Sequence, residues 1–209
     1  MRRQPPIDPY GYYHVSSRGA YGQAMFREPS EHELFLELYA RTAKKRGWRT
    51  LAWALIWNHH HFLVALTDGG LSDGMRVVHS GFSRRMHAKY DRTGTGHFVR
   101  HCFYAGQLKT DASVLEVARY IDLNAVRAGL CRSPEDWNWS SYRANVGLAH
   151  PRTFHQPHEL LEFVADRPRV AQREYRRYVA EGLALDGQVL SSEQGCEAAT
   201  GPLMLESVG

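Results

Sequence analysis

The sequence predicts an α/β fold of the α+β kind, a sandwich in which a mostly antiparallel central sheet packs against helices. Between residues 10 and 127, short aromatic and β-branched segments alternate with longer segments of helical periodicity. Two strand-like segments, 50–57 and 59–66, follow each other directly and predict a pair of neighbouring strands. After Pro134 the periodic segments are helical, which predicts a helical extension at the C-terminal end.

The first half of the chain predicts one strand, one helix and then the strand pair. Residues 10–17 are aromatic and β-branched, which favours a strand. Ser30 and Glu33 have the spacing of a capping box, so we expect a helix that begins there and ends at Gly47. An Asp-Gly-Gly sequence at 68–70 ends the strand pair.

After residue 70 the sequence is predominantly helical. Its predicted segments are a helix at 72–90, a turn at 91–96, a strand at 97–108, and helices at 111–127, 157–165 and 168–183. Gly129 is a suitable stop for the helix that precedes it. From Asp186 onwards the composition predicts a mobile tail.

Charge is distributed unevenly along the chain. Residues 1–109 contain 16 Lys+Arg and 8 Asp+Glu, and within them residues 75–109 contain 7 and 1. A basic half of this kind favours a polyanionic partner such as nucleic acid, although an unevenly charged solvated surface has the same composition.

The composition also bears on where the protein is found. No apolar run approaches 18 residues and no apolar segment follows the basic start, so we expect neither a membrane span nor a secretory signal. Cys102, Cys131 and Cys196 are scattered and form no CxxC pair. That pattern favours a reducing cytoplasm.

The densest cluster of chemically active residues lies in the second strand of the predicted pair, where His59, His60 and His61 are consecutive. Because side chains alternate between the faces of a strand, His59 and His61 project together and His60 points away. Two imidazoles at this spacing can bind one metal ion, but a third ligand must come from elsewhere. The alternative is a run of hydrogen-bonded or exposed histidines with no metal.

A second cluster lies on the predicted helix 111–127. Tyr120 and Asn124 are four residues apart and therefore share a helix face. A phenol can attack phosphorus and carry a covalent phosphodiester, and an asparagine oxygen can bind a hard cation such as magnesium. The alternative is ordinary helix packing, with Asn124 as a polar residue near the helix end.

Four segments taken together resemble the single-tyrosine HUH transposases, in particular the REP-associated tyrosine transposases and IS200-like transposases. In chain order they are YHVSSRG at 13–19, IWNHHHFLV at 56–64, RYIDLNAVRAGL at 119–130 and WSSY at 139–142. The family's matching segments read approximately MPNHVHLLV, RYIxLNPVRAGL and W..SSY. The resemblance covers residues 12–147 and implies a ferredoxin-like HUH sandwich.

The sequence departs from the family pattern at several positions. Trp57 stands where the family has proline, His60 where it has a hydrophobic residue, and Ala125 where it has proline. A Gln-Gly-Arg-like stretch of the family is replaced by Val-Arg-His-Cys at 99–102. The two histidines of the metal pair and the tyrosine are retained, so we expect a competent enzyme.

The resemblance implies metal-dependent cutting and joining of single-stranded DNA, typically at hairpins. Tyr120 would be the nucleophile that forms a 5′-phosphotyrosine, and His59, His61 and Asn124 would hold Mg²⁺ or Mn²⁺. Monomer and homodimer both remain open. The residues expected to contact DNA are Arg18, Arg84, Arg85, Lys89, Arg92, Arg100 and Arg127.

The same resemblance suggests how the chain is divided. We interpret residues 1–9 as a flexible leader, 10–148 as a catalytic domain, 149–185 as the helical extension and 186–209 as a disordered tail.

Two other functions are compatible with the sequence. One is a domesticated, transposase-derived protein that binds DNA without turnover, which the substitutions at His60 and Ala125 would favour. The other is an unrelated metal-dependent hydrolase that uses the histidine triplet, but the histidine strand supplies no acidic ligand before Asp68.

Overall fold

The structure is a computed structural model that describes residues 7–92, 97–100 and 103–193, with only the backbone described for 185–193. Its main elements, in chain order, are β1 (Gly11–Arg18), α1 (Pro29–Arg46), β2 (Arg49–Ile56), β3 (His59–Leu66), α2 (Leu71–Lys89), β4 (Tyr104–Leu108), α3 (Asp111–Asp122), α4 (Asn124–Arg127), α5 (Tyr142–Asn145), α6 (Pro157–Leu161) and α7 (Pro168–Glu193). Several predicted features lie outside the described residues, namely leader residues 1–6, turn residues 93–96, His101, Cys102 and tail residues 194–209 with Cys196.

The four strands form one sheet in the order β2-β3-β1-β4, and every neighbouring pair is antiparallel. The helix α1 connects β1 to β2, and α2 connects β3 to β4, so each connection passes over one intervening strand. Two interleaved split β-α-β units of this kind make a ferredoxin-like sheet. The predicted α/β sandwich with a mostly antiparallel sheet is confirmed.

One face of the sheet packs against α1 and α2 through aromatic side chains. The rings of Tyr39 on α1 and Phe62 on β3 stack with their centroids 3.8 Å apart. Phe82 on α2 meets Phe35 edge-on at 5.2 Å. All four side chains belong to one buried cluster, so this face holds the larger core.

The opposite face packs against α3, α6 and α7. Val114 and Ile121 of α3 are buried in a second cluster together with Leu63 of β3. Leu160 of α6 and Tyr175 of α7 are fully buried in the same cluster. The segment predicted as an extension therefore supplies part of the core that supports α3.

Later segments also cover the outer edge of β2, which would otherwise present unpaired backbone groups. The Leu55 N–H donates to the Trp139 carbonyl and the Ser141 N–H donates to the Trp53 carbonyl, both at 2.8 Å. Nearer the start of β2, Thr50 pairs with residues 155–156.

The predicted capping box at Ser30 and Glu33 is wrong. The helix α1 begins one residue earlier, at Pro29, whose fixed φ angle suits the first helical position. Ser30 instead donates to the Glu28 carboxylate, and Glu33 accepts two hydrogen bonds from Arg152.

Three other boundaries differ from the prediction. Among the described residues of the segment 97–108, Tyr104–Leu108 form the strand β4, whereas residues 98–100 hydrogen-bond to the backbone at Arg18–Ala20. The helix predicted at 111–127 is interrupted at Leu123, whose ψ of −4° departs from helical geometry. The last helix continues to Glu193, so residues 186–193, predicted as mobile, are helical.

Within the described residues, no helix combines the length and the hydrophobicity that a bilayer crossing requires.

Gly74 lies where α2 packs against Thr42 of α1 and against Trp48, the residue before β2. A Cβ at this position would lie closer than 3.0 Å to the buried Trp48 ring, whereas a Cβ at Gly81 would make an ordinary contact with Leu38. We expect Gly74→Ala to lower the free energy of unfolding, because overpacking costs about 1–3 kcal/mol and outweighs the improved helix propensity.

Gly81→Ala is the matched control, and it should be neutral or stabilising by about 0.5–1 kcal/mol. Urea denaturation of both variants measures the difference. Equal stabilities for the two variants would contradict the packing described here.

Candidate metal centre and tyrosine site

The strand β3 separates its three histidines between the two faces of the sheet, as predicted. His60 lies on the face of α1 and α2, where its Nε2 is 2.9 Å from Nε2 of His79. His59 and His61 lie on the other face, with their ring centroids 4.9 Å apart. Across β1, His59 pairs with Arg18 and His61 with Ser16.

The helices α3 and α4 bring Tyr120 and Asn124 over these two histidines. The Tyr120 ring is perpendicular to the His61 ring, with centroids 5.4 Å apart. Oδ1 of Asn124 is 3.1 Å from Nε2 of His59. Tyr120 is 39% exposed and Asn124 is buried, so the phenol is open to solvent while the amide is enclosed with the histidines.

Both histidines are neutral at physiological pH. Burial, together with the charge of Arg18, lowers the pKa of His59 to about 4, against a smaller opposing effect of the Asn124 hydrogen bond. Burial and the neighbouring His14 and His59 lower the pKa of His61 to about 2. Neutral imidazoles retain the lone pair that a metal ligand needs.

The residues present fit a divalent cation. Nε2 of His61 is buried without a hydrogen-bond partner among the described residues. Nδ1 of His59 lies 2.6 Å from Oδ1 of Asn58. With its proton on Nδ1, His59 would donate there, and a cation between Nε2 and the Asn124 oxygen would replace the hydrogen bond between those two atoms. Two ligands of an octahedral Mg²⁺, each at about 2.1 Å, are about 3 Å apart, which matches this separation.

Among the described residues, no three His, Cys, Asp or Glu side chains form a metal-binding cluster. Oδ1 of Asn124, 3.1 Å from Nε2 of His59, is an oxygen of the kind that hard cations bind.

His14 on β1 is part of the site and was missed by the sequence interpretation. Its Nε2 is 2.9 Å from Nδ1 of His61, and the two rings stack with centroids 5.1 Å apart. An imidazole that binds metal through Nε2 keeps its proton on Nδ1, so His61 would donate to His14. The sequence signal that could have identified His14 is the alternation of side chains along the predicted strand 10–17, which places His14 and Ser16 on one face.

A buried carboxylate holds the tyrosine helix in place. Asp122 accepts hydrogen bonds from Ser141 at 2.7 Å, Tyr175 at 2.8 Å and Asn145 at 3.2 Å. Burial raises its pKa to about 6, against the lowering effect of these three donors. Because the donors come from the WSSY segment, α5 and α7, the C-terminal part of the chain fixes the position of Tyr120.

The arginines predicted to bind DNA do not all lie on one surface. Arg84 and Arg100 line a cavity of about 610 Å³ beside α2, together with Arg76, which the sequence interpretation missed. Phe103 lines the same cavity, and the adjacent Tyr104 lies against His14, with ring centroids 5.8 Å apart. The cavity and the tyrosine site are thus neighbours around the edge strand β4.

The other residues that were predicted to contact DNA either have local partners or lie nearer to Tyr120. Arg127 lies over the Tyr120 ring at 5.4 Å, and Arg18 is close enough to affect His59. Lys89 forms ion pairs with Glu28 and Glu31, which raise its pKa. Arg92 donates to the Gln23 amide oxygen at 2.9 Å and Arg85 to the Gly81 carbonyl at 3.4 Å.

His14 supplies a test of the metal centre. We expect His14→Ala to weaken Mn²⁺ binding about 10–100-fold, because His61 loses the acceptor that orients its ring. His14→Gln offers an amide oxygen in place of the imidazole and should retain part of the affinity. Calorimetric titration with Mn²⁺ measures the effect, with the exposed His158→Ala as control. Unchanged affinity in His14→Ala would contradict this role.

Comparison with known proteins gives an independent result. A family model described as "Transposase IS200 like" matches residues 10–124, more than half of the chain. A solved REP-associated tyrosine transposase bound to a REP hairpin is 15% identical with a TM-score of 0.59, over 75% of this chain and 88% of that chain, which shows a shared fold. No curated protein matches the chain.

Two other solved structures are more distant. A putative transposase from Deinococcus radiodurans R1 is 13% identical, with a TM-score of 0.41 over 58% of this chain and 96% of that chain. The tRNA(His) guanylyltransferase of Saccharomyces cerevisiae is 11% identical, with a TM-score of 0.43 over 84% of this chain and 80% of that chain.

The family match extends from the start of the sheet through Tyr120 to Asn124, and on this basis the chain belongs to the IS200-like transposase family.

Proposed function

We propose that the chain cuts and rejoins single-stranded DNA by transesterification, with Tyr120 as nucleophile and a divalent cation, Mg²⁺ or Mn²⁺, held by His59, His61 and Asn124. The observation that carries this proposal is the exposed Tyr120 phenol near the end of α3, just before α4, whose first residue Asn124 meets His59. A single phosphate placed between these groups could reach the phenol and the metal ligands together.

The proposed step exchanges one phosphodiester for another. The Tyr120 oxygen attacks phosphorus and loses its proton, the bond to the 3′ oxygen breaks, and that oxygen takes up a proton. The 5′ phosphate stays on the tyrosine, and attack by a 3′ hydroxyl reverses the step. A bound divalent cation would polarise the phosphate and neutralise developing charge.

The chain's own residues would orient these groups. His14 would hold the His61 ring through the 2.9 Å contact, and Asn58 would hold His59 in the tautomer whose lone pair is on Nε2. Asp122 would keep α3 at the depth that places Tyr120 over the histidines. In the proposed site, all these residues belong to one chain.

The proposed substrate is a single strand with hairpin structure. The solved relative with TM-score 0.59 is described as bound to a REP hairpin, and the basic residues of this chain are concentrated in its first half. The cavity beside α2 would hold part of the sugar-phosphate backbone through Arg76, Arg84 and Arg100. From there the strand would pass Tyr104 to reach Tyr120.

Covalent capture of DNA tests the proposal. Incubation with hairpin oligonucleotides and Mn²⁺ should give a protein–DNA adduct that survives denaturing electrophoresis. Tyr120→Phe should abolish the adduct, because the attacking oxygen is missing, and removal of metal with EDTA should do the same. The exposed Tyr10→Phe is the matched control and should form the adduct normally.

Two outcomes would contradict the proposal. Hairpin binding without any adduct would favour a DNA-binding protein without turnover. Metal-dependent cleavage that persists in Tyr120→Phe would favour a hydrolase that uses the histidines alone.

A further inference from the structure

A second polar cavity lies on the outer edge of β2, away from Tyr120. It has a volume of about 280 Å³, and its lining includes Trp53, Ser140, Ser141, Arg143, His150 and His155. The edge of β2 is covered here by the WSSY segment on one side and by residues 155–156 on the other. We call this space the β2-edge cavity.

Two nearly inaccessible polar atoms on the lining have no partner among the described residues. They are Nε1 of Trp53 and Nδ1 of His155, in side chains that are 2% and 4% exposed. The indole N–H can only donate a hydrogen bond. Buried groups of this kind are costly when they remain unpaired, so they call for a partner inside the cavity.

The hydrogen bonds around His155 determine which role its free nitrogen has. Nδ2 of Asn145 donates to Asp122, so Oδ1 of Asn145 is turned toward Nε2 of His155, 3.0 Å away. The Leu51 carbonyl is 3.2 Å from the same nitrogen. Because both neighbours are acceptors, Nε2 carries the proton and Nδ1 presents a lone pair. The cavity therefore offers one donor and one acceptor.

The lining of the cavity also carries two arginines. Arg143 donates to the Glu135 carbonyl at 3.4 Å, and Arg152 donates to Glu33 at 2.7 Å. A phosphate would suit these arginines but not His155, whose lone pair repels an anion. A neutral heterocycle that carries both an acceptor and a donor would satisfy Trp53 and His155, and nucleobase edges carry both.

We propose that the β2-edge cavity binds one unpaired nucleobase of the DNA strand, with the base edge on Trp53 and His155 and its phosphate near Arg143. The volume of the cavity is slightly below the range of about 300–1,000 Å³ for sites that bind drug-sized ligands, which suits a smaller ligand such as a single base. The choice of DNA as the ligand rests on the proposed function. The inference that the cavity binds a ligand comes from its own geometry.

The cavity shares residues with the support of the tyrosine helix. Ser141 lines the cavity and donates to Asp122, and Asn145 bonds to both Asp122 and His155. A base held in the cavity is thus joined through two side chains to the carboxylate that positions α3.

The indole N–H of Trp53 reports directly on occupancy. In ¹⁵N-labelled full-length protein carrying Tyr120→Phe, this resonance is assigned by its loss in Trp53→Phe. The probes are dAMP, dGMP, dCMP and dTMP, with 2-deoxyribose 5-phosphate as the matched ligand that lacks a base. We expect at least one nucleotide to shift the resonance saturably and the sugar phosphate to leave it in place. A hairpin oligonucleotide with unpaired flanks should shift it at lower concentration.

A cavity-filling variant provides the second measurement. Ala149 is exposed and lines the cavity, so Ala149→Phe should weaken nucleotide binding at least tenfold without disturbing the core. Ala88→Phe, at an exposed position on α2, is the control and should bind normally. The inference is overturned if no nucleotide shifts the Trp53 resonance, if the sugar phosphate shifts it equally, or if Ala149→Phe binds as well as the control. Because Tyr120 is absent throughout, these outcomes are independent of covalent chemistry.

Discussion

The alternation of side chains along β3 is the constraint on which the rest of the site depends. The register with β1 and β2 places His59 and His61 under α3, and it turns His60 toward α1, where it packs against Phe35 and bonds to His79. A shift of one residue would bury His59 and His61 in the aromatic core and turn His60 toward Tyr120. The large aromatic residues on the α1 face therefore also fix the position of His59 and His61 on the opposite face.

The C-terminal third of the chain supports the site without contributing a residue to the proposed chemistry. Tyr175 on α7 and Ser141 both donate to Asp122, which lies between Tyr120 and Asn124 in sequence. This explains why the WSSY segment accompanies the tyrosine segment: its serine covers the edge of β2 and also fixes the carboxylate at the end of α3. Tyrosine placement and sheet-edge protection thus depend on the same side chains.

Much of the fold could be predicted because its signals are local. Segments rich in aromatic, β-branched and other large apolar residues located β1, β2 and β3 within about one residue, and glycine located the ends of α1 and α4. The contacts of His14 with His61 and of Asp122 with Tyr175 could not be predicted, because each joins residues far apart in sequence. The position of residues 98–100 could not be predicted either, because this β-like segment pairs with the backbone at the end of β1 and in the loop that follows it. The ion pairs of Lys89 also depend on how α1 and α2 pack, which the charge pattern does not reveal.

Anomalous diffraction from Mn²⁺-soaked crystals shows whether one cation binds beside Tyr120, as proposed. We expect one strong anomalous peak within bonding distance of Nε2 of His59, Nε2 of His61 and Oδ1 of Asn124, on the side of the sheet where Tyr120 is exposed. A peak beside His60 and His79 on the opposite face, or no peak at Mn²⁺ concentrations that saturate binding in solution, would contradict the proposed site.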